Sequence, residues 1–305
     1  MVLKALRYAG FGLLGVLVLA LLAALVLLGL GSSRLARVHT GNGEAIAVTV
    51  NAETLARGEQ LVRSVAGCAD CHGANLGGGP FVDEPGFATV YAPNLTAGRG
   101  GAGRVYTSAL WERAVRGGVA HDGRALAPMM PSEAAQHLSD ADLGAVVAYL
   151  RSVPPVDNLT PEPRYGLVAR LLTGAGVFPL APELVARTRR LEPTPEPAVS
   201  AEYGGYLARI GGCTTCHGAS LSGAEHPAHP GLRTPDLSGG DAASWSLAEF
   251  RTLFRTGTTP AGRTLDRELM PWPVYAGLTD DEVAALHLYL GYLGSRAATA
   301  QPGAE

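Results

Sequence analysis

Lysine is almost missing from this chain: Lys4 is the only one among 305 residues, so any basic docking surface must be built from arginine. Net charge is small as well, −3 at neutral pH, which removes the electrostatic case for nucleic acid or a strongly acidic partner. Residues 41–160 hold 12 acids against 8 bases and residues 198–296 hold 10 against 7, so both prospective globular parts are mildly acidic. Cysteine is scarce and unevenly placed. All four fall in two copies of one phrase, GCADCHG at 67–73 and GCTTCHG at 212–218. No flavin, quinone or nucleotide fingerprint occurs, so oxidation of a small substrate would have to take place in a partner.

Charge is absent altogether from Tyr8 to Leu30, a run of 23 residues rich in Leu, Val, Ala and Gly. As a helix rising about 1.5 Å per residue, it would cross a hydrocarbon layer of about 30 Å. Two readings fit: a retained membrane anchor, or a cleaved secretory signal with Lys4 and Arg7 as its basic start. A signal core is usually about 7–15 residues, and only a weak cleavage-like site, Leu30-Gly31-Ser32, follows, so the anchor is preferred. Lys4 and Arg7 before the run are matched by Arg34 and Arg37 after it, and flanking charge therefore does not orient the helix.

The two cysteine phrases belong to a longer repeat. A short amphipathic helical pattern precedes each: Leu55, Gly58, Leu61, Val62 and Val65 in the first copy, and Tyr203, Gly204, Leu207 and Ile210 in the second. A glycine-rich loop follows, then Pro93-Asn94-Leu95-Thr96 or Pro235-Asp236-Leu237-Ser238. Helices are predicted from near Thr107 and Ser246, the latter in capping-box spacing with Glu249, and each stops at glycine. Gly123-Arg124 and Gly262-Arg263 mark the next loop, which closes on Met130-Pro131 and Met270-Pro271. A last helix is predicted over 138–150 and 278–290, with Ser139 and Thr279 as N-caps and acids in the first turn.

The resulting plan is a membrane helix and juxtamembrane segment (1–40), a first unit (41–155), a connector (156–198), a second unit (199–296) and a flexible tail (297–305). The connector begins and ends in proline-rich spacers. Its middle, residues 164–180, is too apolar for a solvated tether and is expected to rest on a neighbouring domain in preference to the membrane surface.

Four cysteines could make two disulfides, one zinc site, two thiol-exchange motifs or two haem attachments. A zinc ribbon wants its cysteine pairs about 15–20 residues apart, whereas Cys71 and Cys213 are 142 positions apart. Exchange motifs need no histidine. With 8 His in the chain, one directly after both pairs is roughly a one in a thousand coincidence, and C-x-x-C-H is the haem-attachment phrase. Two thiols at this spacing can reach both vinyl groups of one porphyrin edge, placing the next imidazole under the iron. Cys68 and Cys71 with His72, and Cys213 and Cys216 with His217, are therefore the candidate sites for two haem c groups.

At this point the sequence resembles the class I c-type cytochromes, arranged as a membrane-anchored tandem dihaem protein, over roughly 52–151 and 200–293. The resemblance implies an all-α fold, an N-terminal transmembrane helix followed by two class I cytochrome c domains. It implies Met130 and Met270 as second axial ligands. Met129 is a rival to Met130, but Pro131 follows Met130 as Pro271 follows Met270. The resemblance also implies that the Pro93 and Pro235 carbonyls accept the proximal histidine Nδ1 proton, and that Gly58 and Gly204 mark where the first helix crosses the last, against Tyr149 and Tyr289. Of the remaining candidates, His121, His137, His226 and His229 are alternative ligands but read as surface histidines. Trp111, Trp245 and Trp272 read as pocket or core packing. Arg124 and Arg263 are open between haem propionate partners and solvated loop residues.

Histidine–methionine iron has no open position and passes electrons. The expectation is an electron carrier, not an enzyme, between a redox donor and acceptor, without nucleic acid and of unspecified oligomeric state. The resemblance extends to the cytochrome c subunits of membrane-bound dehydrogenases, an alternative context, although those typically carry three haems. A dihaem peroxidase ranks below both. Haem attachment in this family implies a single-pass protein of the bacterial cytoplasmic membrane with its haem domains on the periplasmic side.

Overall fold

The computed structural model describes residues 2–84, 86–190 and 194–300. It is mostly helical. Helix α1 (Val2–Leu35) is long and apolar enough to cross a membrane, and almost all of its described side chains through Leu25 point away from the protein. Apolar side chains on an unpartnered helix of that length are stable only where water is absent.

The segment after α1 is a strap bound to the first unit. His39 N–H donates to Gly123 O at 2.8 Å, Val38 bridges Arg124, and Ile46 is buried in the core. Helix α2 (Ala52–Gln60) starts at Asn51, whose side chain accepts from Thr54 N at 2.8 Å while Thr54 Oγ1 accepts from Asn51 N. A π-helical turn, Leu61–Val65, joins it to the glycine before α3 (Cys68–His72). Strands β1 (Gly79–Glu84) and β2 (Ala88–Ala92) form an antiparallel hairpin with an irregularity between Pro80 and Val82. Helices α4 (Ser108–Val115), α5 (Ser132–Ala135) and α6 (Asp140–Ser152) complete the unit, with Thr107 and Ser139 capping α4 and α6.

The connector adds strand β3 (Arg164–Tyr165), which pairs antiparallel with β2 and makes the sheet order β1-β2-β3. Helices α7 (Leu167–Gly174) and α8 (Ala181–Val185) follow. The apolar middle of the connector rests in part on the first unit, as its sequence suggested: Gly166 N donates to Phe87 O at 2.6 Å and Phe178 stacks edge-on against Phe87. Helix α7 lies against α1, where Gly31 and Gly174 let the two backbones meet: a Cβ on Gly31 would fall 1.9 Å from Arg170 O, and one on Gly174 would fall 2.0 Å from Leu27 O. Arg34 locks this contact with a two-pronged pair to Glu183, at 3.1 and 2.6 Å.

The second unit repeats the plan without the hairpin: α9 (Ala201–Ile210), α10 (Cys213–His217), α11 (Leu247–Thr256), α12 (Trp272–Tyr275) and α13 (Asp280–Ala300). Helix α13 runs four residues beyond the expected end of the unit at 296, because no breaker interrupts 297–300; the rest of the expected tail, 301–305, lies outside the described residues. In each unit the first helix crosses the last at a glycine. A Cβ on Gly58 would sit 2.1 Å from Ala145 O and 2.7 Å from Tyr149 Cβ, and one on Gly204 would sit 1.9 Å from Ala285 O and 2.9 Å from Tyr289 Cβ. Only a missing side chain allows that approach.

The two units pack on each other. Arg57, on α2, donates to Asp142 at the start of α6 at 2.8 and 2.9 Å and to Glu282 at the start of α13 at 3.0 Å. Tyr206 of the second unit donates to Asp142 at 2.7 Å, and Gln60 of the first donates to Glu282 at 2.6 Å. Burial opposes the charge on Arg57, but hydrogen bonding and attraction to Asp142, Tyr203 and Glu282 together hold its pKa above the ordinary value.

Candidate cofactor-binding sites

Each attachment phrase is one helical turn entered by a glycine in the left-handed region, Gly67 (φ 62°) and Gly212 (φ 73°). The turn places the two cysteines three residues apart on one side and the histidine at its end. His72 and His217 are buried. Their Nδ1 atoms lie 2.7 Å from Pro93 O and 3.0 Å from Pro235 O. A carbonyl only accepts, so Nδ1 carries the proton and Nε2 keeps its lone pair for a metal. Burial lowers both imidazole pKa values, against the proline hydrogen bonds; for His217 the neighbouring His226 lowers it further. Both rings are therefore neutral, ligand-competent bases at neutral pH.

The thiols are not joined in disulfides. Burial pushes Cys68 and Cys71 up to about 11 and Cys213 up to about 12, and it raises Cys216 as well. Exchange-active cysteines need the opposite shift, so a pair of thiol-exchange motifs does not fit. Nor do three or more His, Cys, Asp or Glu side chains gather into a metal cluster among the described residues. Paired neutral thiols beside a buried, singly donating imidazole suit a covalently attached haem. The indole N–H groups of Trp111 and Trp272 are buried without a protein acceptor among the described residues, which leaves donors available to an acidic prosthetic group.

Met130 and Met270 are half-buried in equivalent turns, where Ser132 N donates to Met130 O at 2.7 Å and Trp272 N donates to Met270 O at 2.6 Å. The residue at the place of Met129 in the second unit is Leu269, so the repeat offers a methionine in both units only at Met130 and Met270. The histidine readings need two corrections. His137 and His226 are buried, not on the surface. The ring of His226 accepts from Ala228 N at 3.2 Å and donates from Nε2 to Leu269 O at 3.3 Å, which engages both nitrogens with the backbone. Arg124 pairs with Asp122 at 3.7 Å, and Arg263 is exposed.

Three features escaped the sequence reading. Leu76 and Leu221 are buried non-glycine residues at φ 58°, a costly conformation that the surroundings impose identically in both units. The aligned phrases GANLGG and GASLSG carried that signal. Arg116 and Arg255 are a second matched pair: Arg116 donates to Leu138 O at 2.6 Å and pairs with Asp140, and Arg255 donates to Leu278 O at 2.7 Å and pairs with Asp280. Each clamps the entry to its last helix. The third feature is reciprocal packing across the units. Thr215 Oγ1 donates to Glu133 Oε1 at 3.4 Å, and Val274 closes on Gly67. Each attachment turn therefore faces the short helix that follows the other unit's Met-Pro.

A family model described as cytochrome c matches residues 55–154 and 202–294. The chain is 34% identical over 220 residues to a nicotinate dehydrogenase component of Pseudomonas putida, covering 68% of this chain and 17% of that protein. It is 30% identical over 278 residues to the gluconate 2-dehydrogenase cytochrome c subunit of Pantoea cypripedii, covering 80% and 60%. It is 25% identical over 276 residues to the fructose dehydrogenase cytochrome subunit of Gluconobacter japonicus, covering 81% and 54%. The chain thus spans 17% to 60% of the length of these relatives.

Proposed function

Because the chain belongs to the cytochrome c family, we propose that it carries two haem c groups, one in each unit, and transfers electrons between redox partners at a membrane. In this reading Cys68 and Cys71 would hold the first group and Cys213 and Cys216 the second, with His72 and Met130, and His217 and Met270, as the side chains that would ligate the two irons. Bound haem supplies a one-electron couple at iron, whose potential methionine ligation raises. The protein's part is to keep each imidazole neutral and oriented: the Pro93 and Pro235 carbonyls hold the Nδ1 proton, fix the ring plane and increase the basicity of Nε2. The observation that carries the reading is this buried histidine–proline pair beside a two-cysteine turn, present twice with the same geometry.

The chain itself is read as a carrier, with substrate oxidation left to a partner. The names of its relatives favour a place as the cytochrome subunit of a membrane-bound dehydrogenase complex. Helix α1 would hold the protein in the cytoplasmic membrane with residues after about 35 on the periplasmic side, since covalent haem attachment in this family occurs there. Confinement near the membrane raises the effective concentration of membrane partners. A spectroscopic redox titration of the membrane-extracted protein tests the assignment. Two high-potential waves, each with the long-wavelength band of methionine sulfur on ferric iron, are expected. A low-potential wave without that band, in a haem that binds cyanide readily, would overturn the ligand set for its unit.

A further inference from the structure

Helix α7 and the turn after it place a second apolar surface beside the membrane helix. Residues 171–182 form a run of twelve without charge, bounded by Arg170 and Glu183. Ala169 and Thr173 are fully buried on a helix that closes on α1 at its glycines. The side turned outward keeps Leu167 at 66% and Val177 at 67% exposure, with Val168 at 49%. Burying these apolar groups on docking would remove an unfavourable water contact.

Depth follows from the contact with α1. Gly31 meets Arg170 and Leu27 meets Gly174, so the C-terminal end of α7 and the turn at 175–178 lie further toward the middle of α1 than its start does. Leu27 belongs to the uncharged run that would cross the bilayer. Arg34 and Glu183, paired at 2.6 Å, lie on the other side, where a headgroup layer accommodates charge. Any bilayer that surrounds α1 at Leu27 must also meet whatever is packed on it there.

We infer that α7 and residues 175–178 sit in the outer leaflet of the membrane, at the boundary between headgroups and acyl chains, with Leu167, Val168 and Val177 in contact with lipid. This rests on the reading of α1 as a membrane-spanning helix. The seat has a structural consequence. Gly166 N donates to Phe87 O at 2.6 Å, β3 pairs with β2, and Phe178 stacks edge-on against Phe87 at 5.4 Å. The first unit is thereby joined to the membrane through the strap after α1 and through its own hairpin, and it cannot swing freely on one tether.

The test is nitroxide accessibility in the full, haem-loaded chain reconstituted in phosphatidylcholine–phosphatidylglycerol vesicles, with labels at Val177→Cys and Leu167→Cys. Leu17→Cys serves as the mid-membrane control and Ser222→Cys as the aqueous one. Oxygen should collide with the Val177→Cys label several-fold more than a nickel chelate does, as at Leu17→Cys, with Leu167→Cys intermediate and Ser222→Cys reversed. A Val177→Cys label open to the chelate places the turn in water and overturns the inference. A label shielded from both reagents means that protein, a partner or a second copy, covers the surface, and overturns it too. If Leu17→Cys is itself open to the chelate, the anchor reading falls together with it, which separates the two failures.

Discussion

The two units are built from one plan, but the first carries most of the additions. From Gly58 to Cys68 is ten positions and from Gly204 to Cys213 is nine. The first unit absorbs the extra residue as the π turn, with Ala66 N bonded five residues back to Leu61 O at 2.8 Å, so that the crossing glycine and the attachment turn keep their relative places. It also owns the strap, the hairpin and its pairing with β3. Everything the units share lies at the cofactor site or at the helix crossing: the proline carbonyls, the left-handed leucines, the Met-Pro turns and the arginine clamps. The strap, the hairpin and its pairing with β3, which the second unit lacks, join the first unit to α1 and to the connector. The shared parts therefore present the candidate site twice, and the parts peculiar to the first unit tie that unit to α1 and the connector.

Removing a histidine proposed as a haem ligand should make the largest difference between the units. His72→Ala is expected to halve the haem content per protein and to spare the spectrum of the second unit, and His217→Ala should do the converse; a pyridine haemochrome assay measures this. Equal loss of both haems from one substitution would show that the sites are not independent. With both sites loaded, the native protein should also take up no thiol reagent.

Arg57→Ala comes next. It leaves Asp142 and Glu282 side by side without their shared cation at a largely buried interface, a cost of about 3–5 kcal/mol. Denaturant unfolding should show the loss, and the two units should then unfold in separate transitions if this contact is what couples them. A single unchanged transition would place the coupling elsewhere.

Arg116→Ala and Arg255→Ala compare the matched clamps directly. The Arg116 side chain is 5% exposed and that of Arg255 is 33% exposed, so solvent screens the second more. Arg116→Ala is expected to cost about 1–3 kcal/mol and Arg255→Ala distinctly less, read from chemical denaturation. Equal costs would mean that depth does not decide the strength of the clamp.

The smallest effect is in acid. The hydrogen bond from Arg116, followed by that from Arg190, holds the Asp140 carboxyl below the usual carboxylate range despite partial burial. A depressed folded-state pKa contributes stability that is present above the ordinary aspartate pKa and is lost as pH falls through the lowered value. Asp140→Asn should therefore lower stability slightly at neutral pH, by less than about 1 kcal/mol for so exposed a carboxylate, with the difference from the native protein vanishing in acid. Thermal melts between neutral pH and about pH 3 would check this, and a difference that grows in acid would contradict the sign.

Much of the candidate site was legible because its signals are local. A CxxCH turn, an N-cap such as Ser139 and the box in which Thr279 and Glu282 exchange hydrogen bonds at 2.9 and 3.1 Å each involve residues only three or four apart. The crossing glycines were legible through the resemblance of both units to the class I c-type cytochromes. His137 and His226 were not, since loop position alone does not reveal what packs over a loop. The pairing of β2 with β3 also escaped, because the two strands lie more than seventy residues apart.

By itself, then, the sequence determined the two CxxCH turns, the helices around them and, among the described residues, the helix long and apolar enough to cross a membrane, because composition, periodicity and capping act over a few residues. Only the tertiary structure decided how those parts are held together: Arg57 reaching Glu282 across 225 positions, Arg34 reaching Glu183 across 149, and α7 lying on α1. These contacts depend on which surfaces meet once the helices exist. Burying charge with its partner and apolar surface away from water selects among many possible arrangements, and no short window of residues records the choice.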